Sequence, residues 1–368
     1  MRGKLGASLG ISMVALAGVL AAPAMAANPF ATPSNLPYQA PRFDIIKDSD
    51  YQPGFEAGMK EQIGEIRQIA DNPAAPTFDN TIAAMERSGR MLDRVNNTFF
   101  GVVQANTNPT LDKVQTVEAP KLAAHSDAIF LNPKLFARVK TLYGARASLK
   151  LDAEALQVLT LYYRQFVHAG ALLSDKDKTR LQAINKEDAS LETQFQQKLV
   201  AAAKAGALLL DNKAELAGLS DAEIASAVEA AKARKLAGKY VIPLQNTTQQ
   251  PLLTSLSDRT VREKLFNSSW TRTERGDAND TRAVIARLAV IRAQKAKLLG
   301  YPNYAAYVLY DQMADTPDKV EQFLRQLVAP TRAKAADEAK LIQAAIDKDG
   351  KHFDLKPWDW QRYADQVQ

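Results

Sequence analysis

From Asp175 to about Lys204 the chain carries its longest amphipathic run, uninterrupted by proline or glycine. Strands rarely exceed about ten residues, so a run of this length is a helix, and its apolar stripe requires other elements to cover it. Ser174 stands as its N-cap with Asp177 at the third position, and Gly206 ends it. The same period recurs on the N-terminal side. Phe55, Met59, Ile63, Ile66 and Ile69 fall at steps of three or four. Asn72-Pro73 to Pro76 breaks that run, and a second helix reads through Ile82, Met85, Leu92, Val95 and Phe99. A third covers about 110–129 with Pro120 inside it, which predicts a boundary or kink there. Asn132-Pro133 opens a short helix through Val139, and Asp152 to Ala169 opens another.

Two short apolar runs, Ala207–Leu210 and Tyr240–Leu244, read as strands of a small sheet. Between them Ser220 and Glu223 form the capping box of a helix. Beyond Asn246 helices are expected over Gln249–Leu256, Asp258–Ser269 and Asp277–Leu299. Gly300-Tyr301-Pro302-Asn303 is a turn, and the helix resumes from Tyr304 to Met313. Thr316 as N-cap and Pro317 at the first helical position start a long helix to about Ile346, closed by Asp347–Gly350. The fold class is mainly α with one minor β element.

The N-terminus reads as an export signal. Met1-Arg2-Gly3-Lys4 is basic, Leu9–Ala22 is apolar but too short to span a bilayer comfortably, and Ala24-Met25-Ala26 supplies small residues before a cleavage site at Ala27. Residues 27–46, with prolines at 29, 33, 37 and 41, read as an extended arm. The sequence contains no cysteine, which excludes disulfides, thiolate metal sites and a cysteine nucleophile. A periplasmic destination is therefore expected, with no membrane attachment after cleavage. The formal net charge of +6 comes from basic residues interleaved with acidic ones, so no nucleic-acid stripe exists. Only three histidines occur, His125, His168 and His352, and none pair at metal-ligand spacing. A His-Glu-x-x-His motif cannot be written anywhere in the chain.

Three stretches resemble the M3-family zinc oligopeptidases. The first is Phe43–Tyr51 with Pro53, Phe55, Glu56 and Met59, followed by Pro76–Ile82; the second is Ala119–Ile129 with Leu131-Asn132-Pro133. The third, the most specific, holds Asn246–Pro251, Arg262–Phe266, Gly276–Arg282, Leu298–Tyr307, Asp311–Ala314 and Pro357-Trp358-Asp359-Trp360. Asn246-Thr247-Thr248-Gln249-Gln250-Pro251 and Asp277–Arg282 are nearer the bacterial peptidyl-dipeptidase branch than the endopeptidase branches. The resemblance implies a clam-like helical metallopeptidase with a deep channel, which admits short unstructured peptides and releases C-terminal dipeptides. Zinc would be held by two histidines on one helical turn and a later glutamate, downstream of the Pro-Trp-Asp-Trp segment. Leu355–Gln368 begins a helix with no cap after it, so a C-terminal catalytic half is expected to be missing.

On this reading residues 1–26 are the signal, 27–46 the arm, 47–205 a helical region and 206–245 a small α/β insertion. Residues 246–368 are a helical region leading toward the zinc domain. The chain alone is expected to be inactive. The alternatives are a non-enzymatic helical module that binds peptides or a partner, and one half of a split oligopeptidase.

No catalytic or metal-binding residue is assigned. Tyr301 and Tyr304 are candidates for lining a substrate channel, with packing as the plainer role for these amphipathic rings. His125, beside Leu122 and Ile129, suits a structural hydrogen bond better than a ligand role. His168 at a helix end suits a dipole interaction, and His352 lies in a solvated loop. Asp277, Asn279, Asp280 and Arg282 lack the glycine and bidentate glutamate of a calcium loop and fit helix capping. Asp48 and Asp50 read as surface charges. Trp358 and Trp360 face different sides of a helix, one fastening it to its own domain and the other to the absent half.

Overall fold

The computed structural model describes residues 28–245 and 249–367. The proposed signal sequence and Asn246-Thr247-Thr248 lie outside the described residues. The elements run α1 (Asp48–Ala70), a π-helical turn (Phe78–Ala83), α2 (Ala84–Arg87), α3 (Arg90–Ala105), α4 (Pro109–Phe130), α5 (Pro133–Ala145), α6 (Ala153–His168) and α7 (Asp175–Ala205). Then come β1 (Leu208–Leu210), α8 (Asp221–Lys232), β2 (Tyr240–Ile242), α9 (Gln249–Ser255), α10 (Arg259–Trp270), α11 (Arg282–Leu298), α12 (Tyr304–Leu309), α13 (Pro317–Lys348) and α14 (Pro357–Val367). The fold is mainly α, as the periodicity implies.

Helix α7 is the spine: α4 packs along one side of it and α11 along another, while α1 lies against α3 and α4. Its N-cap is the expected one, with Ser174 Oγ accepting the Asp177 amide at 3.2 Å. Two apolar cores fill the N-terminal region. In one, Phe99 meets Tyr51 and Phe55 edge-on at 5.2 Å between ring centroids, and Phe30 from the arm is buried with them. The other gathers Ile82, Leu135, Val139, Leu159 and Phe166. Gly58 permits the close crossing of α1 and α3, since a Cβ there would stand 2.8 Å from Leu92 Cα.

β1 and β2 pair antiparallel with Leu208 opposite Ile242 and Leu210 opposite Tyr240. The capping box of α8 forms, Ser220 accepting from the Glu223 amide and Glu223 from the Ser220 amide. Near the C-terminus Ile342 and Ile346 of α13 bury against Tyr363 of α14. The earlier part of α13 stands clear: residues 321–337 are all exposed, including Phe323, Leu324, Leu327 and Val328. No described helix is long and apolar enough to cross a membrane.

Several boundaries differ from the periodicity. The helix read through Ile82–Phe99 is broken at Ser88-Gly89, where Gly89 takes φ 77° and donates its amide to Glu65 Oε2 at 2.8 Å. α4 runs through Pro120 without a boundary, because packing along α7 and α1 holds it. The helix at Asn132-Pro133 continues past Val139 to Ala145, burying Leu142 in its core. α11 starts at Arg282 rather than Asp277, since Asp277 and Asp280 turn the chain before it. α12 stops at Leu309 instead of continuing to Met313, and Asp315 adopts φ 52°.

Candidate functional site

The segment that joins α11 to α12 is set by local chemistry. Gly300, at φ 84°, closes α11: its amide donates to Lys297 O at 3.1 Å and the Tyr301 amide donates to Ala296 O at 2.9 Å. That is a Schellman closure, which needs a residue free to be left-handed. Asn303 Oδ1 then caps α12 by accepting the Ala306 amide at 2.8 Å. Tyr304, Tyr307 and Tyr310 follow at steps of three and share a face.

That face meets the end of α6. The His168 ring is sandwiched by Tyr307 and Tyr310, with centroids 4.0 and 3.8 Å away, and its Nδ1 lies 3.1 Å from the Tyr301 hydroxyl. Burial lowers the imidazole to about 4, and the nearby Asp311 only partly opposes this. His168 is therefore neutral near pH 7, a correction to the helix-dipole reading. A dipole at a helix C-terminus favours the cation, and here desolvation wins. Burial likewise raises the Tyr301, Tyr304 and Tyr307 hydroxyls above the usual phenol range.

On the other flank Tyr304 lies under the Arg292 guanidinium, 5.3 Å from ring centroid to Cζ. Arg292 pairs with Asp188 at 3.0 Å and also with Glu192. Lys295 Nζ sits 5.5 Å over the Tyr307 ring. Its burial lowers the ammonium, and Asp188, Asp127 and Glu192 raise it in part. Asp127, 7% exposed, accepts from Asn185 Nδ2 at 2.7 Å, while its second oxygen has no hydrogen-bond partner among the described residues. Asp127, Asn185, Asp188, Glu192, Lys295 and Tyr307 border a cavity of about 260 Å³. Desolvation raises the Asp127 carboxyl. Tyr307 lines this cleft, and Tyr301 and Tyr304 stand beside it without lining it, linked to it through His168 and Arg292 respectively. The cleft holds stacking faces, fixed charges and hydroxyls, a set suited to binding.

The other histidines stand apart. His125 Nε2 is 2.6 Å from Gln62 Oε1 across the α4–α1 contact, the structural bond expected of it. His352 is exposed. Among the described residues no three His, Asp or Glu side chains are grouped to hold a metal ion, so the residues present do not fit a zinc centre. Asp280 is bound to Arg282 and to the Gly276 amide, as a turn rather than a cation loop.

Asp359, which the sequence reading passed over, is the centre of the Pro-Trp-Asp-Trp segment. It is fully buried, accepts both Arg259 (2.9 Å) and Arg262 (3.0 Å), and takes the Lys356 amide at 3.2 Å. Arg362 reaches the Thr254, Ser255 and Leu256 carbonyls. Trp358 packs toward Phe266 and Trp360 toward the Ile342 cluster, so the two rings do face different sides, both meeting neighbours in this chain. The available signal was an acid at the third position of a helix, three residues after Lys356. Arg292, Lys295, Asp188 and Glu192 were also passed over. Their signal was an acid pair four apart on one helix and a basic pair three apart on another.

Residues 252–368 match the model of peptidase family M3. The chain is 48% identical over 340 residues to the dipeptidyl carboxypeptidase of Escherichia coli, covering 92% of this chain and 50% of that protein. It is 48% identical over 343 residues to the dipeptidyl carboxypeptidase of Salmonella typhimurium, covering 93% and 50%. Oligopeptidase A of Haemophilus influenzae is 25% identical over 336 residues, covering 88% and 48%. The chain spans about half the length of these curated relatives.

Proposed function

The chain belongs to peptidase family M3, and from that premise we propose that it is the N-terminal part of a zinc peptidyl-dipeptidase. The whole enzyme releases C-terminal dipeptides from short unstructured peptides in the periplasm, after export on a signal cleaved before Ala27. The observation that carries this reading is the 48% identity along 92% of the chain to a dipeptidyl carboxypeptidase, of which it spans half. The zinc chemistry belongs to residues this sequence does not contain, because His-Glu-x-x-His is absent from it. In this reading the chain supplies a wall of the peptide channel, including the Tyr301–Tyr310 cleft. The bare apolar side of α13 is the surface on which the catalytic half packs; buried apolar area is the main drive for such association.

The test is an assay of the purified 368-residue chain with zinc and a blocked tripeptide, followed by chromatography of released dipeptide. No release is expected from the chain alone. Release that a chelator abolishes would overturn the reading. Adding a separately expressed C-terminal half of the Escherichia coli relative should then restore turnover.

A further inference from the structure

We propose that the groove between the last turn of α7, the outer face of the β1–β2 sheet and the end of α8 binds an aliphatic carboxylate. The groove encloses about 560 Å³, within the range of small-ligand pockets, roughly 300–1,000 Å³. Its floor follows from strand alternation. Leu208 and Leu210 turn inward and are buried, so Leu209 turns to the other face, 47% exposed, where its cross-strand partner Val241, 1% exposed, also lines the groove. Leu236 supplies a further wall, brought back over the sheet by its amide bond to Ala231 O at 3.0 Å.

The rim carries charge of one sign. Lys204 and Arg234 line the groove and no Asp or Glu does. Asp211 is engaged by Lys239 at 2.6 Å, Glu229 by Lys232 at 2.7 Å and Asp280 by Arg282, while Asp277 accepts the Asn279 amide and forms no ion pair among the described residues. Arg234 donates one bond to Ala230 O at 3.0 Å and forms no ion pair among the described residues, nor does Lys204. α7 and α8 both end here, and each C-terminus brings about half a negative charge. Two cations outweigh two half-charges, so the groove stays positive. A carboxylate suits that rim, and an alkyl chain suits the Leu209–Val241 floor. A peptide backbone would need several polar partners, and Asn279 is the one uncharged polar side chain lining the groove. The carboxylate therefore belongs to a fatty acid rather than to a peptide end.

Calorimetric titration of the 368-residue chain with decanoate tests this, with decanol and N-acetyl-Leu-Leu as comparison probes. Saturable one-to-one binding of decanoate is expected, with both comparison probes weaker. Lys204→Met with Arg234→Met should lower decanoate affinity about tenfold or more, the scale of one lost charge-assisted bond. Leu209→Gln, which leaves the cations in place, should also weaken it. Both substitutions fall at exposed or half-exposed positions, and a circular-dichroism melt establishes that each variant is folded. Absence of saturable decanoate binding overturns the proposal. So does equal affinity in the doubly substituted protein, or tighter binding of the dipeptide than of decanoate.

Discussion

At the scale of single residues, two buried polar groups decide how the helices are held. Asp359 faces Arg262, itself 1% exposed, so neither charge can be solvated alone. Breaking a buried pair by removing one partner costs roughly 3–5 kcal/mol, because the survivor is left uncompensated. Asp359→Asn keeps the shape and removes the charge. It should lower urea stability by about that amount, and a loss under about 1 kcal/mol would mean the cluster does not fasten α14. His168 gives a second residue-scale expectation, with a pH signature. Its native value, about 4, lies below the ordinary 6.5, so between these values the unfolded chain binds a proton that the native chain does not. The contribution is fully present above about pH 6.5 and is lost as pH falls toward 4. With half-burial and solvent screening it amounts to about 1–2 kcal/mol. His168→Phe retains the stack and should flatten the melting temperature between pH 6.5 and 4. An unchanged slope would mean the ring does not titrate there.

Among the elements, helix existence was readable and helix ends were less so. Ile82, Met85 and Leu92 keep a helical step across Ser88-Gly89, so an apolar period alone cannot see that the backbone turns left-handed at Gly89. Pro120 gives the opposite lesson. A proline inside a helix costs about 3 kcal/mol, yet α4 continues because it is packed lengthwise on α7 and α1. Of the aromatic cluster at α12, Tyr304 on the helix and Tyr301 in the turn before it were singled out from the sequence, whereas Tyr307 and Tyr310 were not. The cluster's partners His168, Lys295, Asp127 and Asp188 come from four other helices and needed the fold to bring them in. Gly58 is an element-scale device of the same kind, invisible in the period and imposed by the crossing of α1 over α3. Gly58→Ala gains about 1 kcal/mol of helix propensity but forces a Cβ against Leu92 backbone atoms at 2.8 and 2.9 Å. Overpacking of that kind costs about 1–3 kcal/mol, and backbone cannot swing aside as a side chain does. A net destabilisation of about 1–2 kcal/mol is expected by chemical denaturation. A stabilised variant would show that the helices part freely.

For the whole molecule the decisive feature is that α13 is covered at one end and bare at the other. Ile342 and Ile346 are buried under α14, whereas Phe323 is 62% exposed and Leu324, Leu327 and Val328 line up beside it. Exposed apolar side chains scattered singly need no partner, but a stripe along two turns marks a contact surface. Two consequences separate this from a merely tolerant surface. Among the described residues Phe323 and Leu327 belong to no apolar cluster, so Phe323→Gln with Leu327→Gln should leave the melt within about 0.5 kcal/mol, as ordinary surface changes do. The same pair should reduce self-association of the chain alone, read by light scattering. If the proposed catalytic half seats on this face, each large side chain contributes about 1.5–3 kcal/mol on burial. Losing two then weakens complementation about a hundredfold or more in a titration of restored dipeptide release. Complementation that survives the double substitution unchanged would place the contact between the halves elsewhere and leave the α13 stripe without that role.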